Sequence, residues 1–315
     1  MIEVINLTKN YGNIKAVNNL NFEVKKGEIV GFLGPNGAGK STTMNIITGY
    51  MSSTGGTAKV CGFDILEEPI EVKKRIGYLP EQTPLYTNMT VIEFLNFISD
   101  LKLVEKKQKK KHLEEIIKKV NLIQVKDRLI GNLSNGYKHR VGLAQALIGD
   151  PEILILDEPT TGLDPAQIIE IRKLIVDLGK EHTVILSSHI LPEVSAVCQK
   201  VIIINKGEIV AVDTLDNLSK RFINYSKFHI TMVGDKKLIE EKLSGIDDIK
   251  SIQVDKEKED NVISYIIETS KDKDVRKTLF YVMANAGLPI LESKSLDTSL
   301  EDIFVQLVTD EKEVK

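Results

Sequence analysis

Apolar and polar residues alternate along the first part of the chain, and continuous apolar runs follow. From Ile2 to about Phe22 the alternation has a period of two with Gly12 in a turn, which predicts antiparallel strands. Residues 28–33 form a mainly apolar run that leads into a glycine-rich loop, and a helix is predicted to begin at Lys40. Strand, loop and helix in this order are the setting that a phosphate-binding loop requires.

Further short apolar runs occur at residues 153–156, 183–187 and 201–204, separated by stretches with helical periodicity. Strands that are apolar at every position are typical of a parallel sheet that is buried on both faces. The alternation of such strands with helices therefore predicts an α/β core.

Residues 90–150 have a mainly helical pattern and interrupt the predicted sheet. Thr90 and Glu93 have the spacing of a capping box, and apolar residues recur at helical intervals after them. We therefore predict an inserted helical subdomain at about residues 88–150. The lysine-rich run at residues 106–111 opens its second helix, and we interpret this run as a solvated face.

The pattern changes again after about residue 221. Strands are predicted at residues 227–233, 249–255 and 262–268 and near Pro289, with helices at 236–243, 274–286 and 299–308. This order is close to βαββαβ, the pattern of a small α+β domain. The predicted division is therefore a first domain at residues 1–221 and a C-terminal accessory domain at residues 222–315.

Composition narrows the class of protein. A hydrophobic fraction of 42% and a charged fraction of 28% are close to globular averages, and the net charge of -3 gives no general attraction to nucleic acid. Cys61 and Cys198 lack metal-ligand spacing and are expected to be small buried hydrophobes in a reducing compartment. The apolar runs are far shorter than the ~20 residues that cross a bilayer. We therefore expect a cytoplasmic protein with no direct bilayer insertion, whose membrane work is done through a partner.

The glycine-rich segment fits the pattern G-x-x-x-x-G-K-[ST]. Its residues are Gly34, Pro35, Asn36, Gly37, Ala38, Gly39, Lys40 and Ser41. The glycines allow backbone N–H groups to close around phosphate oxygens, Lys40 is expected to reach the β and γ phosphates, and Ser41 is expected to ligate Mg²⁺. The helix that follows directs its positive end at the same oxygens.

Two carboxylates follow the apolar run at residues 153–156. Asp157 and Glu158 stand at the carboxyl end of the predicted strand, where open α/β sheets place their ligands. Asp157 is expected to hold Mg²⁺ directly or through water. Glu158 is then free to orient and polarise the water that attacks the γ-phosphate.

Residues 1–221 resemble the ATP-binding-cassette (ABC) ATPases. Residues 34–42 read GPNGAGKST, residues 157–165 read DEPTTGLDP, and residues 133–137 read LSNGY where the family has LSGGQ. Gln82 matches the glutamine loop of the family, His189 its switch histidine and Tyr11 the aromatic residue that stacks on adenine. Six ordered elements in one chain are far more specific than any one of them.

The resemblance implies a P-loop NTPase cassette with a mixed sheet core, an antiparallel β subdomain and the inserted helical subdomain. It implies ATP and Mg²⁺ as cofactors, with catalytic roles for Glu158, His189 and Gln82. The implied metal ligands are Ser41, Gln82 and Asp157. Implied nucleotide contacts beyond the glycine-rich segment are Tyr11, Val17, Thr42, Ser134, Gly136 and Asp164.

Alternatives from single residues remain open beside this assignment. Tyr11 in a turn is an ordinary surface residue as well as a candidate base platform, and His189 after a strand is a candidate core-edge histidine. In the signature segment, Asn135 replaces a glycine and tolerates left-handed backbone angles, whereas Tyr137 replaces the glutamine and removes its polar contact. Leu85 is equally compatible with a permease contact and with core packing.

The resemblance further implies that two cassettes face head to tail and trap two ATP molecules, with Asp164 communicating between the sites. A separate transmembrane permease is the second implied partner, contacted through the segment after Gln82, where Tyr86 is another candidate contact residue. Residues 189–213 and 299–304 resemble single-cassette bacterial exporters of the drug-resistance and gliding-motility types. For the C-terminal domain we expect a regulatory or dimer-supporting role.

Two other functions remain possible from the sequence. One is a non-transport ATPase of translation or chromosome maintenance, although such relatives usually carry two cassettes or a long coiled-coil insert. The other is a nucleotide-binding regulator without catalysis, which the presence of Glu158 disfavours.

Overall fold

The computed structural model describes residues 1–222, 225–258, 261–270, 274–296 and 304, and the chain divides into two compact units. The first unit covers Met1–Leu215, and the second begins at Asp216. The boundary falls at the start of a helix, Leu215–Phe222, at whose end the sequence places the domain boundary.

The strands of the first unit are β1 (Ile2–Tyr11), β2 (Ile14–Val24), β3 (Ile29–Leu33), β4 (Gly55–Val60), β5 (Phe63–Asp64), β6 (Ile76–Leu79), β7 (Ile153–Asp157), β8 (Thr183–Ser188), β9 (Lys200–Asn205) and β10 (Glu208–Thr214). Its helices are α1 (Lys40–Ile47), α2 (Pro69–Arg75), α3 (Val91–Leu101), α4 (Lys106–Lys119), α5 (Asn135–Leu147), α6 (Pro165–Leu178) and α7 (Leu191–Ser195). Helix α8 is Leu215–Phe222. The second unit contains β11 (Tyr225–Val233), α9 (Lys236–Ser244), β12 (Ile249–Lys258), β13 (Val262–Ser270), α10 (Arg276–Asn285) and β14 (Ile290–Leu296).

The N-terminal alternation folds as predicted into an antiparallel sheet with the order β2-β1-β4-β5. Ile2, Val4 and Leu7 are buried, whereas Ile5 between them is 38% exposed. Successive side chains of a strand point to opposite faces, which accounts for the burial of Ile2 and Val4. Leu7 returns to the core face because the register with β2 shifts after Val4, where Asn6 has a left-handed φ of 50°.

The main sheet has the order β10-β9-β3-β8-β7-β6, with β10 antiparallel and its other pairings parallel. Strands β3, β7 and β8 are buried at every position, as the continuous apolar runs predict. Their parallel alignment brings their carboxyl ends to one edge of the sheet. The glycine-rich loop, Asp157 and Ser188 therefore lie at the same edge.

The helical insertion lies between β6 and β7 in the chain, and α5 packs against β6. The predicted capping box is confirmed, because the backbone N–H of Thr90 donates to Oε2 of Glu93 at 2.8 Å and the N–H of Glu93 donates to Oγ1 of Thr90 at 3.3 Å. The lysine-rich run opens α4 and is mostly exposed, while Leu113, Ile116 and Ile117 bury the opposite face of that helix.

The second unit has the sheet order β12-β13-β11-β14, with α9 and α10 contributing to its core. Phe228, Ile230, Met232 and Tyr265 form the centre of that core. The elements follow the predicted order of strand, helix, two strands, helix and strand. The predicted helix at residues 299–308 lies outside the described residues, except for the helical residue Phe304.

Both cysteines are free thiols. Cys198 is buried, and burial raises the pKa of its thiol far above the ordinary value. Cys61 is half-buried, so the expectation of a buried residue is met only by Cys198.

Candidate functional site

The glycine-rich loop connects β3 to α1, and its glycines stand where other residues do not fit. Gly37 and Gly39 have φ values of 78° and 104°, in the left-handed region. A Cβ at Gly39 would lie 2.5 Å from the backbone oxygen of Ala16, and a Cβ at Gly34 would lie 2.3 Å from that of Ile204. The loop is therefore folded closely against two neighbouring strands, with its turns permitted by glycine.

Lys40 begins α1 and is buried against its own loop. Its Nζ donates to the backbone oxygens of Gly34 at 2.9 Å and Pro35 at 3.3 Å, and it lies 3.3 Å from Oε1 of Glu158. These contacts hold the ammonium group at the centre of the loop. A single cation at this position can exchange its carboxylate partner for a phosphate group.

Asp157 is positioned by a residue that sequence reasoning missed. The parallel register of β7 and β8 places Asp157 beside Ser187, whose hydroxyl donates to Oδ1 of the carboxylate. The same hydroxyl oxygen accepts the backbone N–H of Glu158 at 3.0 Å. Ser41 donates to Oδ1 of Asp157 at 3.3 Å, which joins the start of α1 to the end of β7.

Glu158 has an unusual backbone conformation, with φ at 48°. A left-handed backbone at a residue other than glycine costs free energy and is held only where its surroundings determine it. Here Oε1 faces Lys40 and Oε2 lies 3.0 Å from Nδ1 of His189. The carboxylate is thus fixed between a cation and an imidazole.

A network behind the site ties its loops together. Oε2 of Glu193 accepts hydrogen bonds from Oγ1 of Thr160 and from Oγ of Ser188, the latter at 3.1 Å. The backbone oxygen of Ser188 accepts the N–H of Gly34 at 3.3 Å. The serines directly before His189 are a sequence signal for this network, although their partners follow only from the fold.

Two cavities meet at Ser41. The first, of about 580 Å³, is lined by Ala16, Asn36, Gly37, Gly39, Lys40, Ser41, Thr42, Glu81, Glu158, Thr161 and His189. The second, of about 890 Å³, is lined in part by Ser41, Tyr78, Glu81, Gln82 and Asp157. Most of the predicted nucleotide contacts of the loop, the predicted catalytic residues and the predicted metal ligands therefore line one continuous region.

The region can hold a hard cation. Hydroxyl, carboxylate and amide oxygens are the ligand types that suit Mg²⁺, and Ser41, Asp157 and Gln82 line the second cavity together. The described residues contain no cluster of three or more His, Cys, Asp or Glu side chains able to hold a metal. A Mg²⁺ ion that also binds substrate phosphates needs only a few protein ligands, and Ser41, Asp157 and Gln82 are the candidates.

Val17 and Tyr11 lie apart from the first cavity. Val17 is fully buried, so its side chain belongs to the core, and it is the neighbouring Ala16 that lines the cavity. Tyr11 is 46% exposed, and its hydroxyl donates to Sδ of Met51 at 3.0 Å. Nζ of Lys9 lies 5.5 Å from the centre of the Tyr11 ring.

The segment at residues 133–137 opens helix α5. Ser134 caps the helix, with its Oγ accepting the N–H of Tyr137 at 3.5 Å. Asn135 is the first residue of the helix and does not have a left-handed backbone. The expectation that asparagine keeps the loop shape by adopting left-handed angles is therefore wrong. A Cβ at Gly136 would lie 2.6 Å from the side-chain amide of Gln167, so Gly136 packs directly against that amide.

Ser134 and Gly136 line neither of the two cavities. Asp164 caps α6 by accepting the N–H of Gln167 at 2.9 Å, and Gln167 is the residue against which Gly136 packs. Asp164 and the start of α5 are thus linked through Gln167, by its backbone N–H on one side and its side-chain amide on the other.

In the described part of the chain, none of the helices combines the length and the apolar character needed to span a bilayer.

Comparison with known proteins shows the family. The chain matches the ABC transporter family over residues 17–161. It is 36% identical over 310 residues to the bacitracin transport ATP-binding protein BcrA of Bacillus licheniformis, covering 98% of this chain and 97% of the relative. It is also 36% identical over 237 residues to the linearmycin resistance ATP-binding protein LnrL of Bacillus subtilis (strain 168), covering 74% of this chain and 76% of the relative.

Solved structures show the same fold. The dimeric post-hydrolysis state of the ATP-binding cassette MJ0796 bound to ADP and Pi is similar with a TM-score of 0.62 and 27% identity. The similarity covers 68% of this chain and 98% of that one. From these matches and the geometry of the loop, the chain belongs to the ABC transporter family, as a subunit that binds and hydrolyses ATP.

Proposed function

We propose that this chain is the cytoplasmic ATPase of an ABC exporter, that it works as a dimer of two copies, and that it drives a separate transmembrane permease on the inner face of the membrane. The observation that carries the proposal is the convergence of Lys40, Glu158 and His189 on one cavity at the glycine-rich loop.

The loop binds the triphosphate in this proposal. Backbone N–H groups at the start of α1 and the Lys40 ammonium provide the positive charge, and Thr42 lines the same cavity. Ser41, Asp157 and Gln82 would hold Mg²⁺, which would supply charge neutralisation for the phosphates. Tyr11 is the proposed platform for the adenine, since its half-exposed ring is accessible to a base.

Glu158 orients the attacking water and accepts its proton. Its carboxylate is nearly buried, and its own backbone and two neighbouring side chains fix its direction. When Lys40 engages phosphate instead, one carboxylate oxygen becomes available to water. His189 remains beside the other oxygen and contacts the γ-phosphate, so that it senses whether this group is present.

The second copy completes the site. Ser134 and Gly136 lie at the N-terminal end of α5, where backbone N–H groups favour an anion, yet they line neither of the two cavities. A head-to-tail dimer brings them to the γ-phosphate of the other copy. Asp164 then communicates between the two nucleotide sites of the dimer, since it is linked to the signature segment at residues 133–137 through Gln167.

The second cavity supports a docking place for the permease. It is lined by Gln82 and by the exposed apolar residues Tyr50 and Leu101, which are 79% and 64% exposed. Tyr86 packs edge-on against Phe94, with ring centres 5.9 Å apart, and yet is 51% exposed. It therefore packs within this chain and is also accessible to the permease. Movement of the glutamine segment would then pass from the nucleotide to the permease.

Export is favoured over import by the relatives. BcrA and LnrL bear names that refer to bacitracin transport and linearmycin resistance. Removal of a toxic compound from the cell is the activity that fits resistance. The compound itself is selected by the permease in this proposal.

The test is the variant Glu158→Gln in the purified chain. Phosphate release should fall by about 10²- to 10⁴-fold, as for loss of a general base, while nucleotide binding persists and a dimer stabilised by Mg-ATP accumulates. Glu81→Gln is the matched control, since Glu81 lines the same cavity without contacting Lys40 in the described structure, and it should retain turnover. Unchanged phosphate release in Glu158→Gln would refute the assignment.

A further inference from the structure

We propose that the second unit associates with the same unit of a second copy of this chain through strand β14, independently of nucleotide. Strand β14 is the edge of its sheet and pairs with β11 on one side only, as far as the described residues extend. An edge strand offers backbone N–H and C=O groups to another strand. The interface does not depend on the assigned ATPase site.

The sequence of β14 is self-complementary when two copies run antiparallel. Glu292 and Lys294 are exposed, flank Ser293 and lie on the same face of the sheet, because side chains alternate along a strand. If Ser293 lies on the twofold axis, Glu292 faces Lys294 of the second copy, and the symmetry repeats this pair. Opposite charges directly across two antiparallel strands are stabilising.

Neighbouring registers are disfavoured by the same two residues. A twofold axis at Glu292 places that carboxylate against its own copy, and an axis at Lys294 places two ammonium groups together. Like charges directly opposite destabilise a strand pair. A twofold axis that passes midway between two successive residues would oppose side chains on different faces, which an axis perpendicular to the sheet does not permit. Of the axes at Glu292, Ser293 and Lys294, only the axis at Ser293 places opposite charges across the strand pair.

An apolar groove runs beside the same edge. It has a volume of about 520 Å³ and is lined by β14 and α10, including Phe280, Leu288 and Leu291. Phe280 is 57% exposed and Leu291 is 60% exposed. In the symmetric pair the two grooves lie on either side of the axis, so pairing of the strands would bring them together and remove apolar surface from water.

The edge also carries features that discourage unrelated strands. Its pairing with β11 has a register shift beside Leu291, and Lys294 places a charge on the edge. Such bulges and charges commonly protect edges against promiscuous pairing. An identical copy overcomes this protection because it supplies Glu292 opposite Lys294. We therefore commit to a second copy of this chain, and not to an arbitrary peptide, as the occupant.

The first experiment is sedimentation of the full chain without nucleotide, over concentrations up to about 100 μM, which detects interfaces of modest affinity. The wild type should dimerise. Glu292→Lys or Lys294→Glu alone should raise the dimer Kd by about tenfold or more, and the double exchange should restore it, because two attractive pairs become repulsive and then attractive again. Lys250→Glu on β12, at the opposite edge, is the matched control and should change nothing.

The second experiment is cross-linking of Ser293→Cys in a Cys61→Ser background. A residue on the twofold axis faces itself, so mild oxidation should give a disulfide-linked dimer, whereas Ser251→Cys on β12 should remain monomeric. A monomeric wild type with no cross-link at residue 293 would overturn the proposal. A dimer that forms only with Mg-ATP and ignores the charge exchanges would be the cassette dimer and would likewise overturn it.

Discussion

Nζ of Lys40 lies 3.3 Å from Oε1 of Glu158, and the two side chains are 6% and 7% exposed. The cation that is assigned to the phosphates therefore neutralises the carboxylate that is assigned to the attacking water. Removing one member of such a pair leaves an uncompensated charge inside the protein. This relationship connects the stability of the nucleotide-free protein to its catalytic residues.

Lys40→Met should abolish nucleotide binding and also destabilise the nucleotide-free protein by about 3–5 kcal/mol, because Glu158 is left buried without its cation. Adding Glu158→Gln should recover part of that loss, giving a coupling free energy of about 1–3 kcal/mol in a double-mutant cycle. Urea unfolding of the wild type, the two single variants and the double variant, all without nucleotide, measures this coupling free energy. Lys109→Met is the control: it breaks the ion pair between Lys109 and Asp100. Because Asp100 is 64% exposed, this change should have little effect on the free energy of unfolding. Strictly additive effects of Lys40 and Glu158 would show that the pair is not coupled.

Ser187→Ala should lower turnover by about tenfold or more, because Asp157 and the backbone of Glu158 lose the hydroxyl that positions both. The unpaired N–H of Glu158 should cost about 1–3 kcal/mol of stability. Steady-state phosphate release and thermal unfolding measure these changes. Ser99→Ala is a matched control, because this buried hydroxyl bonds only within its own helix in the described structure and lies outside the site. Equal losses of turnover in both variants would contradict a positioning role.

Gly39→Ala should unfold the loop or abolish nucleotide binding, whereas Gly37→Ala should be milder. Both glycines have positive φ, which costs about 1–2 kcal/mol for alanine, but only Gly39 brings a Cβ within 2.5 Å of backbone. Around Gly37 no atom lies within 4 Å of the added carbon. Equilibrium nucleotide titration and thermal unfolding of both variants separate the cost of positive φ, which both share, from the cost of the backbone contact, which only Gly39→Ala has. The reverse order of severity would exclude the backbone contact as the cause.

His139 should make the free energy of unfolding depend on pH. Burial, assisted by Arg140, lowers its pKa from 6.5 to about 4, and Nδ1 has no hydrogen-bond partner among the described residues. Between these values the unfolded chain binds a proton that the folded chain does not, so stability rises with pH and is lost as pH falls from about 6.5 to 4. The loss should reach up to about 3 kcal/mol.

Chemical unfolding at several pH values, compared between wild type and His139→Gln, isolates this contribution. The variant should have a flatter pH dependence in that window, because glutamine does not titrate. Parallel curves for the two proteins would assign the acid sensitivity to other groups.

The glycine-rich loop, the acidic pair at the end of β7 and the order of elements were predictable from sequence because each is a local property. Spacing fixes which residues share a turn, and apolar periodicity distinguishes the buried strands from the helices of the insertion. Ser187 was missed because a serine at the end of a buried strand has no distinctive local pattern. Its role depends on the β7–β8 register.

The sequence by itself determined the family, and it predicted the division into two parts and the residue types for binding phosphate, since all of these follow from covalent order and local spacing. The tertiary structure decided that Ala16 lines the cavity in place of Val17, that Lys40 neutralises Glu158, and that β14 stands at an edge. Ser41 and Asp157 meet although they are 116 residues apart. Such contacts depend on how sheets and helices pack, and packing joins distant residues in ways that no local pattern specifies.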